Sequence, residues 1–445
     1  MPQDTHARSN ADLSSAVAEA EARFAAANPK SRAQIIAAAR SLPGGNTRTI
    51  LHYTPFPVVL AGGDGCFVED IDGHRYADYL GEYSAGLFGH SDPRLIAAIK
   101  KALDAGVALG GPNRHEAELS ALICERFASI ERLRFCNSGT EANLFAISAA
   151  RAFTGRSHVM VFDGAYHGGV FYFGQVKPPI NAPFPWVLAP YNVTGRTLAL
   201  IEEHAHELAS VVIEPMTGAG GCIPADPAFL AALRQATARH GIVLQFDEVM
   251  TSRLSPGGLQ KRFGLAPDLT SLGKYLGGGM TFGAFGGRAE IMERFNPYQP
   301  GAIAHAGTFN NNVVSMAAGV TGLRDIYTPK AADALNASGD RLRERLQALI
   351  AKHGAAMQVT GIGSMMTLHF GRTPVRRPED TWASGAEAER LEQLRMLMHL
   401  DLLAAGQYLA RRGFITLSLP MTEREHDAFA GAFDEFLTVR RTLVS

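Results

Sequence analysis

The sequence of 445 residues has little cysteine, and its four cysteines, Cys66, Cys124, Cys136 and Cys222, lie far apart with no C-x-x-C pair. This spacing argues against a disulfide framework and against a zinc site, so we expect free thiols, a reducing cytoplasm and no bound metal. No run of about 18 apolar residues occurs either, so we expect no membrane span. The polar start MPQDTHARSNADLSS lacks an apolar signal core, so we expect no export.

An excess of charge of either sign is also missing, because 42 Lys and Arg balance 43 Asp and Glu to give a formal net charge of −1. Binding the nucleic-acid backbone requires a basic surface, so we expect no nucleic-acid partner. The apolar content of 46% and the charged content of 19% are typical of an ordered globular protein. A chain of this length is expected to form about two or three domains.

Short β-rich runs alternate with helical stretches in the middle of the chain. The pattern predicts buried strands at 132–137, 158–163, 210–215 and 242–249, and helices at 141–153 and 228–240. Such alternation predicts an α/β fold with a mostly parallel sheet that helices cover on both faces. In such sheets the ligand crevice lies beyond the carboxyl ends of the strands.

The pattern changes after about residue 325. Long helical stretches such as 332–354 then surround short strands, which is typical of a smaller α+β domain. The first 80 residues also lie outside the alternation, so we expect them to pack with that small domain. The predicted organisation is an N-terminal segment at 1–80, a large domain at 81–325 and a small domain at 326–445.

The stretch FCNSGTEAN at 135–143 follows a predicted strand and opens a predicted helix. Ser138 is a suitable N-cap, and Glu141 three residues later completes a capping box. Gly139 leaves room for an anion to approach the free amides of the first turn. Helix capping would explain the motif by itself, but its position at the carboxyl end of a strand favours a phosphate site.

Two charged residues follow apolar runs. A carboxylate at the strand end, Asp247, is costly to bury unless it caps the next turn or pairs with a protonated heteroaromatic nitrogen, as a pyridine cofactor requires. Lys274 lies 27 residues further on, followed by Gly277 to Gly279. Most lysines are surface charges, but a lysine in a packed apolar site becomes a nucleophile able to form a Schiff base. The phosphate site, the carboxylate and the lysine together predict binding of pyridoxal 5'-phosphate (PLP).

An ordered set of motifs, which covers nearly the whole chain, resembles the class III aminotransferases of PLP fold type I. The motifs are NSGTEAN (137–143), DGAYHGG (163–169), IEPMTGAGG (213–221), FDEVMTSR (246–253), LGKYLGGG (272–279) and GTFNNN (307–312). The resemblance implies a fold type I α/β architecture, PLP as cofactor and a homodimer with shared active sites.

The resemblance also implies roles for individual residues. Lys274 would bind PLP covalently and move the proton, and Asp247 would pair with the pyridine nitrogen. The implied phosphate contacts are Ser138, Gly139, Thr140 and, toward the neighbouring subunit, Thr308, and the implied ring contacts are Tyr166 and Val249. Glu214 is a candidate with a more variable role, whereas His167 and His305 are expected to be structural because PLP and lysine already supply the proton chemistry.

The substrate class is suggested by the two ends of the chain. LPGGNTR at 42–48 resembles glutamate-1-semialdehyde aminomutases, but an arginine directly after Asn-Thr, and RRGFITLSLP at 411–420, resemble bacterial aminotransferases of aromatic β-amino acids. Arg48 and Arg412 are the candidates for binding the carboxylates of substrates, because guanidinium groups bind carboxylates bidentately. The candidates for an apolar substrate pocket are Tyr83, Phe88 and Met250, for which core packing is an equal alternative.

These residues predict a ping-pong transamination through pyridoxamine phosphate. The partners would be a small-molecule amino donor, such as β-phenylalanine, and a 2-oxo acid acceptor, such as 2-oxoglutarate or pyruvate. One alternative is an internal amino shift on glutamate 1-semialdehyde, against which the arginine after Asn-Thr argues. Others are a non-catalytic PLP-binding regulator, for which no spare basic DNA-binding segment exists, and a cofactor-free lyase, which would leave the motif at 138–141 without a purpose.

Overall fold

The computed structural model describes residues 12–445, so the first eleven residues of the polar start lie outside the described chain. Two helices precede a small antiparallel sheet, and Asp12 caps the first helix by accepting from the Ser15 amide at 2.9 Å. Two further helices lead into the large sheet. These elements are α1 (Leu13–Ala27), α2 (Pro29–Ala38), β1 (Leu60–Asp64), β2 (Phe67–Asp70), β3 (Arg75–Asp78), α3 (Pro93–Asp104) and α4 (Arg114–Arg126).

A seven-stranded sheet follows, in the segment with the predicted strand–helix alternation. Its elements are β4 (Arg132–Cys136), α5 (Gly139–Thr154), β5 (His158–Phe162), β6 (Trp186–Ala189), α6 (Thr194–Glu203), β7 (Leu208–Ile213), α7 (Pro227–His240), β8 (Val243–Asp247), α8 (Gly258–Phe263), β9 (Leu269–Gly273), β10 (Gly283–Gly287), α9 (Ala289–Met292) and α10 (Val313–Thr321). Helix α7 ends at Gly241, whose φ of +62° provides the left-handed C-cap that the sequence predicts.

The order of the strands in this sheet is β4-β10-β9-β8-β7-β5-β6, and every pairing is parallel except the two that β10 makes. Strands β7, β8, β9 and β10 are buried at every residue, so both faces of the sheet are covered. The predicted α/β class with a mostly parallel sheet is confirmed. Gly283, in β10, lies opposite Cys136 of β4 on one side and Gly273 of β9 on the other. The carboxyl ends of β4 and β9 therefore lie at the same edge of the sheet, with only β10 between them.

Helices and short strands alternate in the C-terminal part. They are α11 (Pro329–His353), β11 (Met357–Ile362), β12 (Met365–Phe370), α12 (Gly385–Ala404), β13 (Gln407–Tyr408), β14 (Phe414–Thr416), α13 (Glu423–Val439) and α14 (Arg441–Val444). Strands β11, β12 and β14 form an antiparallel sheet, whereas β13 pairs in parallel with β3, so that Gln407 lies opposite Ala77. An N-terminal strand and a C-terminal strand thus share one sheet. The domain boundaries at residues 80 and 325 stay predictions.

Several short turns complete the described chain. Short 3₁₀ segments lie at Pro43–Gly45, Thr49–Leu51, Gly81–Ser84, Thr251–Leu254, Lys274–Gly277, Glu293–Phe295 and Pro378–Thr381, and a π-helical turn lies at Gly322–Ile326.

Within residues 12–445, no helix is long and apolar enough to cross a membrane. The same part of the chain holds no group of three or more His, Cys, Asp or Glu side chains that could bind a metal ion. The four cysteines are free.

Candidate active site

A cavity of about 280 Å³ lies at the carboxyl edge of the seven-stranded sheet, where β4, β8 and β9 end. Parallel sheets bind ligands at this edge, outside the carboxyl ends of the strands. Residues from four separate segments that the sequence singles out line the cavity: Ser138, Gly139, Thr140, Tyr166, Asp247, Val249, Met250 and Lys274. The fold therefore brings the predicted phosphate site, carboxylate and lysine to one place.

Helix α5 begins in the wall of this cavity. Ser138 is its N-cap, and the Ser138 hydroxyl accepts from the Glu141 amide at 3.1 Å. The Glu141 carboxylate accepts from the Asn137 amide at 2.9 Å, one residue before the cap, so the second half of the predicted capping box is wrong. The amides of Gly139 and Thr140 lie in the first turn, where no carbonyl of the helix can accept from them. Free amides at a helix start suit an anion.

Three glycines allow the cavity wall to pack closely beside these amides. A Cβ atom on Gly139 would lie 2.8 Å from Val249 Cγ1, and one on Gly273 would lie 3.1 Å from the same atom. A Cβ atom on Gly168, whose φ is +135°, would lie 2.7 Å from Thr140 Cβ. These distances are shorter than ordinary van der Waals contacts, so larger residues would displace the wall. The glycines thus let Val249 and the Gly168 backbone pack closely against the start of α5, where the phosphate is expected to bind.

The Asp247 carboxylate lies at the end of β8, and the residue is only 4% exposed. Its Oδ1 atom accepts from the Val249 amide at 3.0 Å, and its Oδ2 atom accepts from Asn143 Nδ2 at 2.8 Å and lies 2.8 Å from His167 Nδ1. These three donors offset the cost of burying the carboxylate and fix its orientation. A carboxylate held in this way can keep a proton on a heteroaromatic nitrogen, as a pyridine cofactor requires.

His167 lies in the site, which the sequence does not predict, and the expectation that its role is structural stays a prediction. It is buried in the cavity wall beside Asp247, and its Nε2 atom has no hydrogen-bond partner among the described residues. Burial lowers the pKa of His167, but the hydrogen bond to Asp247 and the charge of that carboxylate outweigh burial and raise the pKa above its ordinary value. The position of His167 directly after Tyr166, in DGAYHGG, is the signal in the sequence that could have placed it in the site.

Lys274 follows β9 with its backbone in the left-handed region, at a φ of +55°. This conformation is strained for a residue with a side chain and is typical of functional sites. Burial lowers the pKa of Lys274 to about 8; the charge of Arg48 adds to this effect, and the charges of Asp247 and Glu82 oppose it. The lower pKa increases the share of neutral amine, which is the form that attacks a carbonyl carbon.

Tyr166 and Val249 present an aromatic ring and an aliphatic side chain to the cavity. Tyr166 is 44% exposed, and its amide donates to Glu214 Oε2 at 3.1 Å. The other oxygen of Glu214 accepts from the Gly218 amide at 2.8 Å. Burial raises the pKa of this carboxyl group to about 7, against the lowering effect of His167. Walls of this kind fit a flat, partly apolar ring.

Arg48, Arg412 and Tyr83 form a cluster beside the cavity and are not part of its wall. The guanidinium carbons of Arg48 and Arg412 lie 5.7 Å and 5.2 Å from the centroid of the Tyr83 ring. Tyr83 also stacks on Phe414, with ring centroids 5.9 Å apart. Tyr83 is therefore placed beside two cations, whereas Met250 lines the cavity itself.

Three further candidates lie away from the cavity. Phe88 is buried in the core, where its ring centroid lies 6.4 Å from that of Tyr275. His305 packs edge-on against Phe145, with ring centroids 4.4 Å apart, and its structural role stays a prediction. Thr308 is exposed in the loop before α10, so its contact with a neighbouring subunit stays a prediction.

Similarity to known proteins extends over nearly the whole chain. The sequence profile described as aminotransferase class-III matches residues 51–388. A β-phenylalanine transaminase of Variovorax paradoxus is 50% identical over 428 residues, which cover 96% of this chain and 97% of that protein. The crystal structure of a β-phenylalanine aminotransferase from V. paradoxus matches with a TM-score of 0.94 and 50% identity, covering 97% of this chain and 99% of that chain.

Two more distant relatives share the same framework. A glutamate-1-semialdehyde 2,1-aminomutase of Brevibacillus brevis is 36% identical over 379 residues, which cover 81% of this chain and 88% of that protein. A transaminase solved with PLP bound matches with a TM-score of 0.84 and 30% identity, covering 93% of this chain and 98% of that chain. The predicted fold type I architecture is confirmed by these matches. The chain belongs to the class-III aminotransferases, and it is a PLP-dependent aminotransferase.

Proposed function

We propose that the protein transfers the amino group of an aromatic β-amino acid, such as β-phenylalanine, to a 2-oxo acid such as 2-oxoglutarate or pyruvate. The observation that carries the proposal is the pair of arginines, Arg48 and Arg412, at the Tyr83 ring beside the cavity. Donor and acceptor both carry a carboxylate, and two guanidinium groups can bind carboxylates at different distances from the reacting carbon. The similarity to the V. paradoxus transaminase supports this donor class.

The residues of the cavity wall would hold the cofactor. The start of α5, with Ser138, Gly139 and Thr140 in the cavity wall, would bind the phosphate through hydroxyl and amide donors. Tyr166 and Val249 would contact the ring. The chemistry that PLP supplies when bound is a carbonyl group that reacts with amines and a pyridine ring that withdraws electrons.

Asp247 and Lys274 would control the protons. Asp247, oriented by Asn143 and His167, would keep a proton on the pyridine nitrogen, because a fixed carboxylate stabilises that charge. Lys274 Nζ would accept the proton from the amine-bearing carbon of the substrate and return it in the next step. A pKa of about 8 suits an amine that must gain and lose a proton near neutral pH.

The donor and the acceptor would use one cavity in turn, so the reaction would be ping-pong. Arg48 and Arg412 would bind their carboxylates, and Met250, which lines the cavity, would contact the aryl group of the donor beside Tyr83. In this arrangement the carboxylate of each substrate would lie toward the arginines. The apolar end then lies against side chains that do not compete for hydrogen bonds.

We also propose a homodimer with shared active sites. Thr308 is exposed and lies outside the cavity of its own chain, and the adjacent Phe309 is 64% exposed. Burial of this apolar side chain against a second subunit would favour association. Light scattering should give about twice the mass of one chain, and a monomer with full PLP affinity would contradict the shared site.

The test of the proposed reaction follows the absorbance of the PLP-loaded protein after one amino donor is added without an acceptor. β-Phenylalanine, a short aliphatic β-amino acid, glutamate and a simple amine are compared. We expect the fastest loss of cofactor absorbance with β-phenylalanine and its return on adding a 2-oxo acid. A protein that responds to no β-amino acid would contradict the proposed donor. Turnover of glutamate 1-semialdehyde without an acceptor would favour the aminomutase reaction instead.

A further inference from the structure

The cluster beside the cavity contains a carboxylate with no role in the reaction described so far. Glu82 forms an ion pair with Arg48, which is one of the two arginines at the Tyr83 ring. The side chains of Arg48 and Glu82 are 40% and 58% exposed, so both can be reached from the solvent. Arg48 lies at the Tyr83 ring, so the ion pair belongs to the cluster beside the cavity.

The backbone that carries Glu82 is held in an unusual conformation. Gly81, Glu82, Tyr83 and Ser84 have φ values of +51°, +49°, +52° and +81°, so four consecutive residues lie in the left-handed region. Only glycine adopts this region without strain, and left-handed runs are rare. The surrounding structure must therefore impose the turn, and it fixes the direction in which the Glu82 side chain leaves the backbone.

Buried polar contacts hold this turn at both ends. The buried Asp78 carboxylate accepts from the amide of Gly81 at 2.9 Å. The buried Arg253 guanidinium donates to the Ser84 carbonyl at 3.2 Å and also to the Leu417 carbonyl, on the segment that follows Arg412. The turn with Glu82 and the segment with Arg412 are thus tied to one guanidinium group.

The two arginines of the cluster differ in their partners. Arg412 contacts the rings of Tyr83 and Phe414, and no carboxylate within residues 12–445 forms an ion pair with it. Arg48 is neutralised by Glu82. A substrate carboxylate that binds Arg48 must therefore replace the Glu82 carboxylate, because both need the same guanidinium donors.

We propose that Glu82 is a specificity-determining residue, an internal carboxylate that occupies Arg48 until the carboxylate of a substrate displaces it. The inference rests on the proposed function only in assuming that the ligand of Arg48 is a carboxylate. A ligand without a carboxylate meets a neutral ion pair, whereas a ligand with one must compete for Arg48. Glu82 therefore lowers the preference for carboxylate ligands to a level that allows their release.

The test compares two unreactive ligands that differ only at the carboxylate, 3-phenylpropanoate and 3-phenylpropanamide. Their dissociation constants for the PLP-loaded protein are measured by calorimetry, and the ratio of the amide constant to the acid constant gives the preference for a carboxylate. The variants are Glu82→Gln, the same change in an Arg48→Met background, and Glu392→Gln as a matched control. Glu392 forms an ion pair with Arg411, so the control removes a carboxylate from a neighbouring arginine.

We expect Glu82→Gln to raise this ratio about fivefold, since the loss of a competing exposed ion pair is worth up to that factor. The ratio should not change in Glu392→Gln, and Glu82→Gln should have no effect once Arg48 is Met. Glu82→Asn removes the same charge with a residue that tolerates the left-handed region, so it should give the same ratio if Glu82→Gln does not fold.

An unchanged or lower ratio in both Glu82 variants would overturn the inference. A rise that persists with Arg48→Met would also overturn it, because Glu82 would then act without Arg48. Failure of the wild type and of the Glu82 variants to bind 3-phenylpropanoate would show that Arg48 holds no ligand carboxylate. None of these outcomes depends on turnover, so a protein that does not transaminate β-phenylalanine would contradict the proposed function separately.

Discussion

The Nδ1 atom of His167 lies 2.8 Å from Oδ2 of Asp247, and both residues are buried in the wall of the cavity. The same oxygen accepts from Asn143, so two side chains fix the direction of one carboxylate. Orientation of this kind matters because electrostatic stabilisation depends on charges that are already in place before the reaction. We therefore predict that His167 is a positioning residue that acts through Asp247.

Removal of this hydrogen bond should slow turnover without unfolding the protein. We expect His167→Phe to lower kcat about 10- to 100-fold, the factor that corresponds to one hydrogen bond to a charged group. His167→Asn should recover most of the rate, because its amide can donate from the position of Nδ1. Steady-state kinetics with the amino donor, together with the thermal midpoint of each variant, measure both effects.

His74→Phe is the matched control for this change. His74 Nδ1 lies 3.0 Å from Asp70 Oδ2, so the substitution removes a similar bond outside the cavity. We expect kcat to be unchanged in this control. An equal loss of kcat in His74→Phe and His167→Phe, or no recovery in His167→Asn, would contradict the positioning role of His167.

Gly139, at the start of α5, should not tolerate a methyl group. In Gly139→Ala the new Cβ would lie 2.8 Å from Val249 Cγ1, so the wall must shift where the phosphate is expected to bind. Overpacking of this kind costs about 1–3 kcal/mol, which predicts a Kd for PLP that is about tenfold higher or more. Equilibrium binding of PLP to the apo protein, followed by absorbance, measures the change.

Gly195→Ala provides the control for Gly139→Ala. Gly195 lies in the first turn of α6, and a Cβ atom there would meet nothing within 4 Å beyond its chain neighbours and the backbone of its own helix. We expect unchanged PLP affinity and equal or slightly higher stability, because alanine is less flexible than glycine in the unfolded chain. Equal PLP affinity in the wild type and Gly139→Ala would contradict the assignment of the phosphate site.

The lowered pKa of Lys274 predicts the pH dependence of cofactor uptake. Burial disfavours the ammonium form, so the neutral amine increases as the pH rises and reaches half of the population at about 8. The rate of PLP uptake by the apo protein should therefore rise up to about pH 8 and level off above it. Arg48→Met should move this midpoint upward, since the charge of Arg48 adds to the lowering. A wild-type midpoint above pH 10 would contradict this account of Lys274.

The raised pKa of Glu214 predicts how stability depends on pH. The carboxyl group titrates at about 7 in the folded protein and near 4.5 in the unfolded chain. Stability that is present below about pH 4.5 is then lost as the pH rises to about 7, because the buried group must ionise. Glu214→Gln loses one of the two amide contacts at every pH, so the expected signal is a difference: its effect on the free energy of unfolding of the apo protein should be more favourable at pH 8 than at pH 5, by up to about 3 kcal/mol. Denaturant midpoints at the two pH values test this, and equal effects at both would contradict it.

The sequence predicts the large sheet and the main contacts of the site because both depend on local patterns. Apolar runs and capping residues mark the ends of β4 and β8, and parallel strands bring those ends to one edge of a sheet. Ser138, Asp247 and Lys274 stand at such ends, so their convergence follows from the order of the elements.

Contacts between distant segments are not visible in the sequence. The bond from His167 to Asp247 joins residues 80 positions apart, and the pair of Arg48 with Glu82 depends on a left-handed turn that no local motif announces. The Glu141 side chain likewise turns toward the Asn137 amide because of the geometry at the end of β4. The sequence therefore predicts the bond from the Glu141 amide to Ser138 correctly but not the amide from which the Glu141 carboxylate accepts.

The assignment of Lys274 as the residue that binds PLP is tested most directly by borohydride reduction of the PLP-loaded protein, followed by peptide mapping. Reduction fixes the cofactor permanently to the amine that holds it. We expect one labelled peptide, which contains Lys274, and no label in Lys274→Arg, which keeps the charge but offers no comparable nucleophile. A label on another lysine, or an unchanged label in Lys274→Arg, would contradict the site described above.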